Sequence, residues 1–102
     1  MSRHGIFQPV SLTATPKMIL PPSTARKAIL FPTFSSTVAG AFYTVSTDPG
    51  VASGIGINVF PNVEGPVLID FATFGDVVQH AWYGVASSGA TFQLGLLEAF
   101  DD

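Results

Sequence analysis

From Lys27 onward the chain carries turn signals at an even spacing, and that spacing leaves room for little except short strands. The signals are Phe34-Ser35-Ser36, Asp48-Pro49-Gly50, Pro61-Asn62-Val63-Glu64-Gly65, Phe74-Gly75-Asp76 and Ser87-Ser88-Gly89, with centres 12 to 14 residues apart. Between them lie runs rich in β-branched and aromatic residues, at 28–31, 41–46, 55–60, 67–71, 82–86 and 91–98. In the last run Phe92, Leu94 and Leu96 share one face. Short strands at regular spacing with Gly and Pro turns predict an all-β sandwich or barrel. No window carries a helical stripe with caps; Asp76-Val77-Val78-Gln79-His80 allows one turn at most. Gly56, Gly84 and Gly95 sit inside runs, which predicts bulges or close backbone approaches.

The first 26 residues read differently. Five of the eight prolines (Pro9, Pro16, Pro21, Pro22 and Pro32) fall in the first 32 positions, and proline opposes helices and central strands. Short extended pieces fit between them: 10–14 alternates, and 17–20 suits a sheet edge. Residues 1–26 are therefore expected to form an extended arm ahead of a β-sandwich body at 27–102. In polyproline geometry 25 residues reach roughly 75 Å, enough to bridge to a neighbouring subunit. An immunoglobulin-like sandwich would need strands from the arm. A jelly roll needs eight strands, and the body supplies six, so it too draws on the arm.

Charge divides the chain at the same place. Arg3, Lys17, Arg26 and Lys27 are all of its Lys and Arg, while all seven acids lie after position 27. Fields sort partners by sign, so arm and body should prefer different surfaces. Arg3, Phe7, Lys17, Arg26 and Lys27 are the candidate partner-binding residues of the arm. Only 11% of residues are charged, against about 25% in typical domains, whereas 47% are apolar. Apolar surface left over after folding usually marks an interface, so the expected state is an oligomer or part of an assembly.

Several functions lose their footing on composition. The chain has no cysteine, hence no disulfide, thiolate zinc site or cysteine nucleophile. Pro9 and Pro16 interrupt any signal-peptide core, and no apolar run approaches the ~20 residues of a membrane span. The expectation is synthesis in the cytoplasm with no membrane partner. Specific nucleic-acid binding is not expected of a body with no Lys or Arg after position 27. Ser87 and Ser88 lack the glycine two positions earlier that a nucleophile elbow requires. Gly54-Ile55-Gly56 begins like a dinucleotide fingerprint, but no third glycine follows. His4 and His80 are the only imidazoles. Asp70 and Asp76 flank an expected hairpin at 71–75, short of the dense acidic loop that calcium wants. No enzyme activity, metal or cofactor is expected. Tyr43, Trp82 and Tyr83 are aromatics with polar handles, suited to a core, an oligomer interface or a sugar.

The block Trp82-Tyr83-Gly84-Val85-Ala86-Ser87-Ser88-Gly89-Ala90-Thr91, with the strand at 92–98, resembles the terminal hairpin of small β-sandwich virion proteins of tailed bacteriophages. The runs at 44–47 and 54–57 resemble that group too, and the likeness spans about residues 26–102. The group includes capsid cement or decoration proteins. The resemblance implies a jelly-roll-like body with no catalytic residues, bound as a dimer or trimer across joints between major capsid subunits at the capsid surface. The resulting expectation is a compact antiparallel, jelly-roll-like sandwich that stabilises a virion as a cement protein. The competing expectation is a tail or fibre module that binds a cell-surface glycan through Tyr43, Trp82 and Tyr83.

Overall fold

The computed structural model describes residues 3–31, 41–52, 54–60, 67–87 and 92–101. Their alternating and continuous apolar runs form eight strands: β1 Arg3–Leu12, β2 Lys17–Leu20, β3 Arg26–Phe31, β4 Tyr43–Ser46, β5 Ile57–Val59, β6 Val67–Asp70, β7 Trp82–Ala86 and β8 Phe92–Asp101. All six runs of the expected body are strands. The signals at 34–36 and 61–65 lie outside the described residues, as do Ser88 and Gly89.

The strands pair antiparallel in two sheets, ordered β1-β8-β3-β6 and β2-β7-β4-β5. The pairs β1 with β8, β2 with β7, β3 with β6 and β4 with β5 nest inside one another. The chain therefore doubles back once, between β4 and β5, and successive pairs fall alternately into one sheet and the other. That winding of eight strands in two sheets is a jelly roll. It excludes the immunoglobulin alternative.

The N-terminal segment is extended, as its prolines require, but it is not a separate arm. β1 forms an edge of the first sheet and β2 an edge of the second. Val10, Leu12 and Leu20 are buried in the same core as Ile29, Phe31, Tyr43, Trp82 and Leu96. Prolines 9, 16, 21 and 22 fall on the edge strand β1 or between strands, where a missing N–H costs little. Burying three aliphatic side chains is favourable by about 1.5–3 kcal/mol each, which is why the segment zips onto the sheets.

The expected hairpin at 71–75 is instead one helical turn, α1 Phe71–Phe74, running into a 3-10 helix at Gly75–Gln79. Asp70 causes the change: its carboxylate accepts a hydrogen bond from Thr73 N at 2.8 Å, a helix cap. Gly75, with φ 66°, ends the turn in a conformation most side chains avoid.

Candidate functional site

The residues singled out by sequence separate into an inner and an outer group. Arg26, expected among the partner-seeking positives, is 1% exposed. Its Nε donates to Glu98 Oε1 at 2.9 Å, and its Nη2 stands 2.7 Å from the same oxygen in an ion pair. Nη1 donates to the carbonyls of Val78 and His80, and Nη2 also to that of Pro21. These contacts engage all three guanidinium nitrogens. Arg26 is thus an internal pin joining β3, β8, the 3-10 helix and the Pro21 turn, and it is unavailable to a partner.

Lys27 is half-buried beside a register shift, and its Nζ lies 4.4 Å above the Phe71 ring. Lys17 stays exposed on the edge strand β2. The backbones of Arg3 and Phe7 are in β1, opposite Asp101 and Leu97; their side chains lie outside the described residues. The charge split along the sequence is therefore partly answered within the fold, most plainly by Arg26 and Glu98.

Tyr43 and Trp82 are 0% and 2% exposed, which removes them from direct contact with a partner or a sugar. Trp82 stacks at a tilt on Phe31, with centroids 5.4 Å apart, and Tyr43 lies 6.3 Å from Phe92. Burial pushes the Tyr43 hydroxyl pKa far above its ordinary value. Tyr83 alternates to the outside of its sheet and is half-buried. The three aromatics therefore do not form one site. An open cavity of about 220 Å³ lies between Val45, Ile57, Val77 and Trp82, with Ser46 and Thr47 beside it. Trp82 Nε1 is enclosed without a hydrogen-bond partner among the described residues.

Acidic and imidazole groups do not converge either. Asp70 caps α1, and its hydrogen bonds with the Thr73 side chain and backbone hold its carboxyl below the usual range. His80 is exposed. Among the described residues no three His, Asp or Glu side chains are placed to hold a metal ion.

The feature that stands out is the outer face of the β1-β8-β3-β6 sheet. Ile29, Phe31, Ile69, Leu96 and Glu98 point inward and are buried, so the alternate residues point outward. Leu97, Leu30 and Leu68 occupy one cross-strand row on that outer side, in register with the Phe7 backbone of β1. Leu68 is 55% exposed, and Leu30 and Leu97 are half-buried. The row beside it is Gly5, Ala99, Ala28 and Asp70, and on the other side lie Pro9 and Gly95. A Cβ on Gly5 would stand 3.1 Å from Leu97 Cδ1, so the glycine gives Leu97 room to lie low.

Leu30, Leu68 and Leu97 were not among the residues singled out by sequence, yet a signal was there. The runs Ala28-Ile29-Leu30-Phe31, Val67-Leu68-Ile69 and Leu94-Gly95-Leu96-Leu97 do not alternate with polar residues. In an antiparallel sheet one solvated face normally imposes alternation, and a continuous apolar run means both faces are to be covered. No protein-family model, curated protein or solved structure matches this chain.

Proposed function

We propose that the chain is a non-enzymatic structural protein of a virion, a cement or decoration subunit that works by burying surface. The observation that carries this reading is the outward row Leu97, Leu30 and Leu68, flanked by glycine and alanine, with Leu68 exposed and Leu30 and Leu97 half-buried. An apolar sheet face of this kind is a cost in a free monomer and an asset in an assembly. The low charge content, the jelly-roll winding and the likeness of residues 26–102 to small phage virion proteins support the same reading. A fold alone does not specify function, so the weight rests on the face. The glycan-binding alternative loses its two principal aromatics to the core.

The test is to mix the purified chain with empty capsids of the virus that encodes it, then to sediment them and measure their heat resistance. The chain should co-sediment, saturate at a fixed ratio to the shell subunit and raise the temperature at which the capsids open. A chain that stays in the supernatant at saturating concentration overturns the proposal.

A further inference from the structure

We infer that the bare face of the β1-β8-β3-β6 sheet is covered by the same face of a second copy, related by a two-fold axis; this rests on the reading of the chain as an assembly protein. The first argument is shape. Leu97, Leu30 and Leu68 form a ridge running across the strands, and the row Gly5, Ala99 and Ala28, which ends at Asp70 on β6, forms a lower strip beside it. Rows on one face are two residues apart, about 7 Å along the strands. Consider a two-fold axis in the interface, parallel to the ridge and midway between ridge and strip. It sets each copy's ridge over the other copy's strip. A two-fold interface requires a patch complementary to itself, and a ridge beside a strip of small residues meets that requirement. The strands of the two sheets stay nearly aligned, the common geometry for sheets packed face to face about 10 Å apart.

Charge agrees with shape. Asp70, at the β6 end, is the one charged residue in these rows. A partner selected by charge would find little beyond Asp70 to pair with, and in the two-fold pairing that carboxylate lies at the β6 margin of the contact, beside Leu68 of the second copy. The edges are poorer candidates than the face. β2, β5 and β6 are only three or four residues long, and β1 carries Pro9. Short and proline-bearing edges resist further strand pairing.

Area sets the strength. With the axis midway between ridge and strip, about 22 residues of strands that are ten, ten, six and four long overlap and project about 360 Å² of face. Two copies would bury on the order of 700 Å², below the floor of about 1,000 Å² for a stable specific interface and in keeping with a transient one. The dimer is therefore weak, with dissociation in the micromolar range or above.

The chain contains no cysteine, so single engineered cysteines report single positions. Light scattering of the purified chain should show its mass rising from monomer to dimer with concentration. Leu30→Asp should weaken that association about a hundredfold, because the carboxylate would be buried unpaired. A mixture of Leu97→Cys and Ala99→Cys chains should be joined by a bis-maleimide spanning about the 10 Å between facing sheets. Cross-linking uses milder substitutions and reads the contact even where an aspartate at Leu30 prevents folding. A monomer at every attainable concentration overturns the inference, as does a dimer cross-linked only through Ser11→Cys at the tip of β1. Either result, with capsid co-sedimentation intact, removes the self-pairing and leaves the assembly reading standing. Loss of co-sedimentation removes the assembly reading.

Discussion

The two sheets have the same number of strands but differently finished outer faces. On the β2-β7-β4-β5 sheet the outward residues Thr44 and Val85 stand opposite each other and are almost fully buried. The β4–β5 connection helps to cover this side: Gly54 N donates to Thr44 Oγ1 at 3.0 Å, and that hydroxyl donates to Asn58 Oδ1 at 2.8 Å. On the other sheet Leu68, Leu30 and Leu97 look outward with solvent access. A chain that closes one apolar face with its own loop has the means to close an unwanted surface. The open face is thus better understood as a surface with a use than as an accident of composition. Four perturbations test that contrast.

The largest effect is expected where the bare sheet is anchored from behind. Arg26→Ala leaves Glu98 buried without its guanidinium, and breaking one side of such a pair costs about 3–5 kcal/mol. Urea denaturation measures it. The double variant Arg26→Met with Glu98→Leu should recover much of the loss, since an apolar pair of similar bulk removes both buried charges. If Arg26→Ala is mild, the pin does not hold the bare sheet to the 3-10 helix and the Pro21 turn.

Next is the closure of the covered face. Gly56 has φ 143°, and a Cβ there would stand 2.8 Å from Val45 O and 2.9 Å from Thr44 Cγ2. Gly56→Ala combines backbone strain with overpacking and should cost about 2–4 kcal/mol. A neutral result would mean that the β4–β5 connection is not seated this closely, and the difference between the faces would shrink accordingly.

The sequence carried the strand pattern well and the environment of its charges poorly. Turn spacing located all six strands from β3 to β8, because Gly, Pro, Asn and Ser act locally. The edge role of 17–20 was also legible, since prolines bracket the four residues. The fate of Arg26 was not. It precedes Lys27 and looks like half of a surface pair, while Glu98, its partner, is 72 residues away. Nothing local announces that a β8 carboxylate and three carbonyls will converge on one guanidinium. Tyr43 and Trp82 were ambiguous for a related reason: an aromatic with a polar handle suits core and surface alike. The bare face was readable in principle, from runs that fail to alternate, but only once those runs were known to be antiparallel.

A matched pair of smaller changes sharpens the contrast directly. Val85→Thr places a hydroxyl in a buried outward position and should cost about 1–3 kcal/mol unless it finds a partner. Leu30→Thr places one on the bare face, where water and cross-strand neighbours limit the loss to about 0.5–1 kcal/mol. Thermal denaturation of dilute protein, where any dimer is dissociated, makes the comparison clean. Equal losses would mean that the two faces are equally covered.

The smallest effect concerns the rim of the bare face, where β6 gives way to α1. The exposed Asp70 carboxylate caps that turn, and its hydrogen bonds with Thr73 hold its pKa below the usual carboxylate value. A folded-state pKa below the unfolded one means that the contribution is fully present above the unfolded value of about 3.9. It declines as pH falls through that value and is gone below the folded pKa. Asp70→Ala should therefore melt slightly earlier than the parent chain at neutral pH, and the gap should close on acidification. A gap that persists in strong acid would show that the carboxylate is not its cause. A gap that closes assigns the cap to the carboxylate, and with it the placement of Phe71 and Phe74 beside the face.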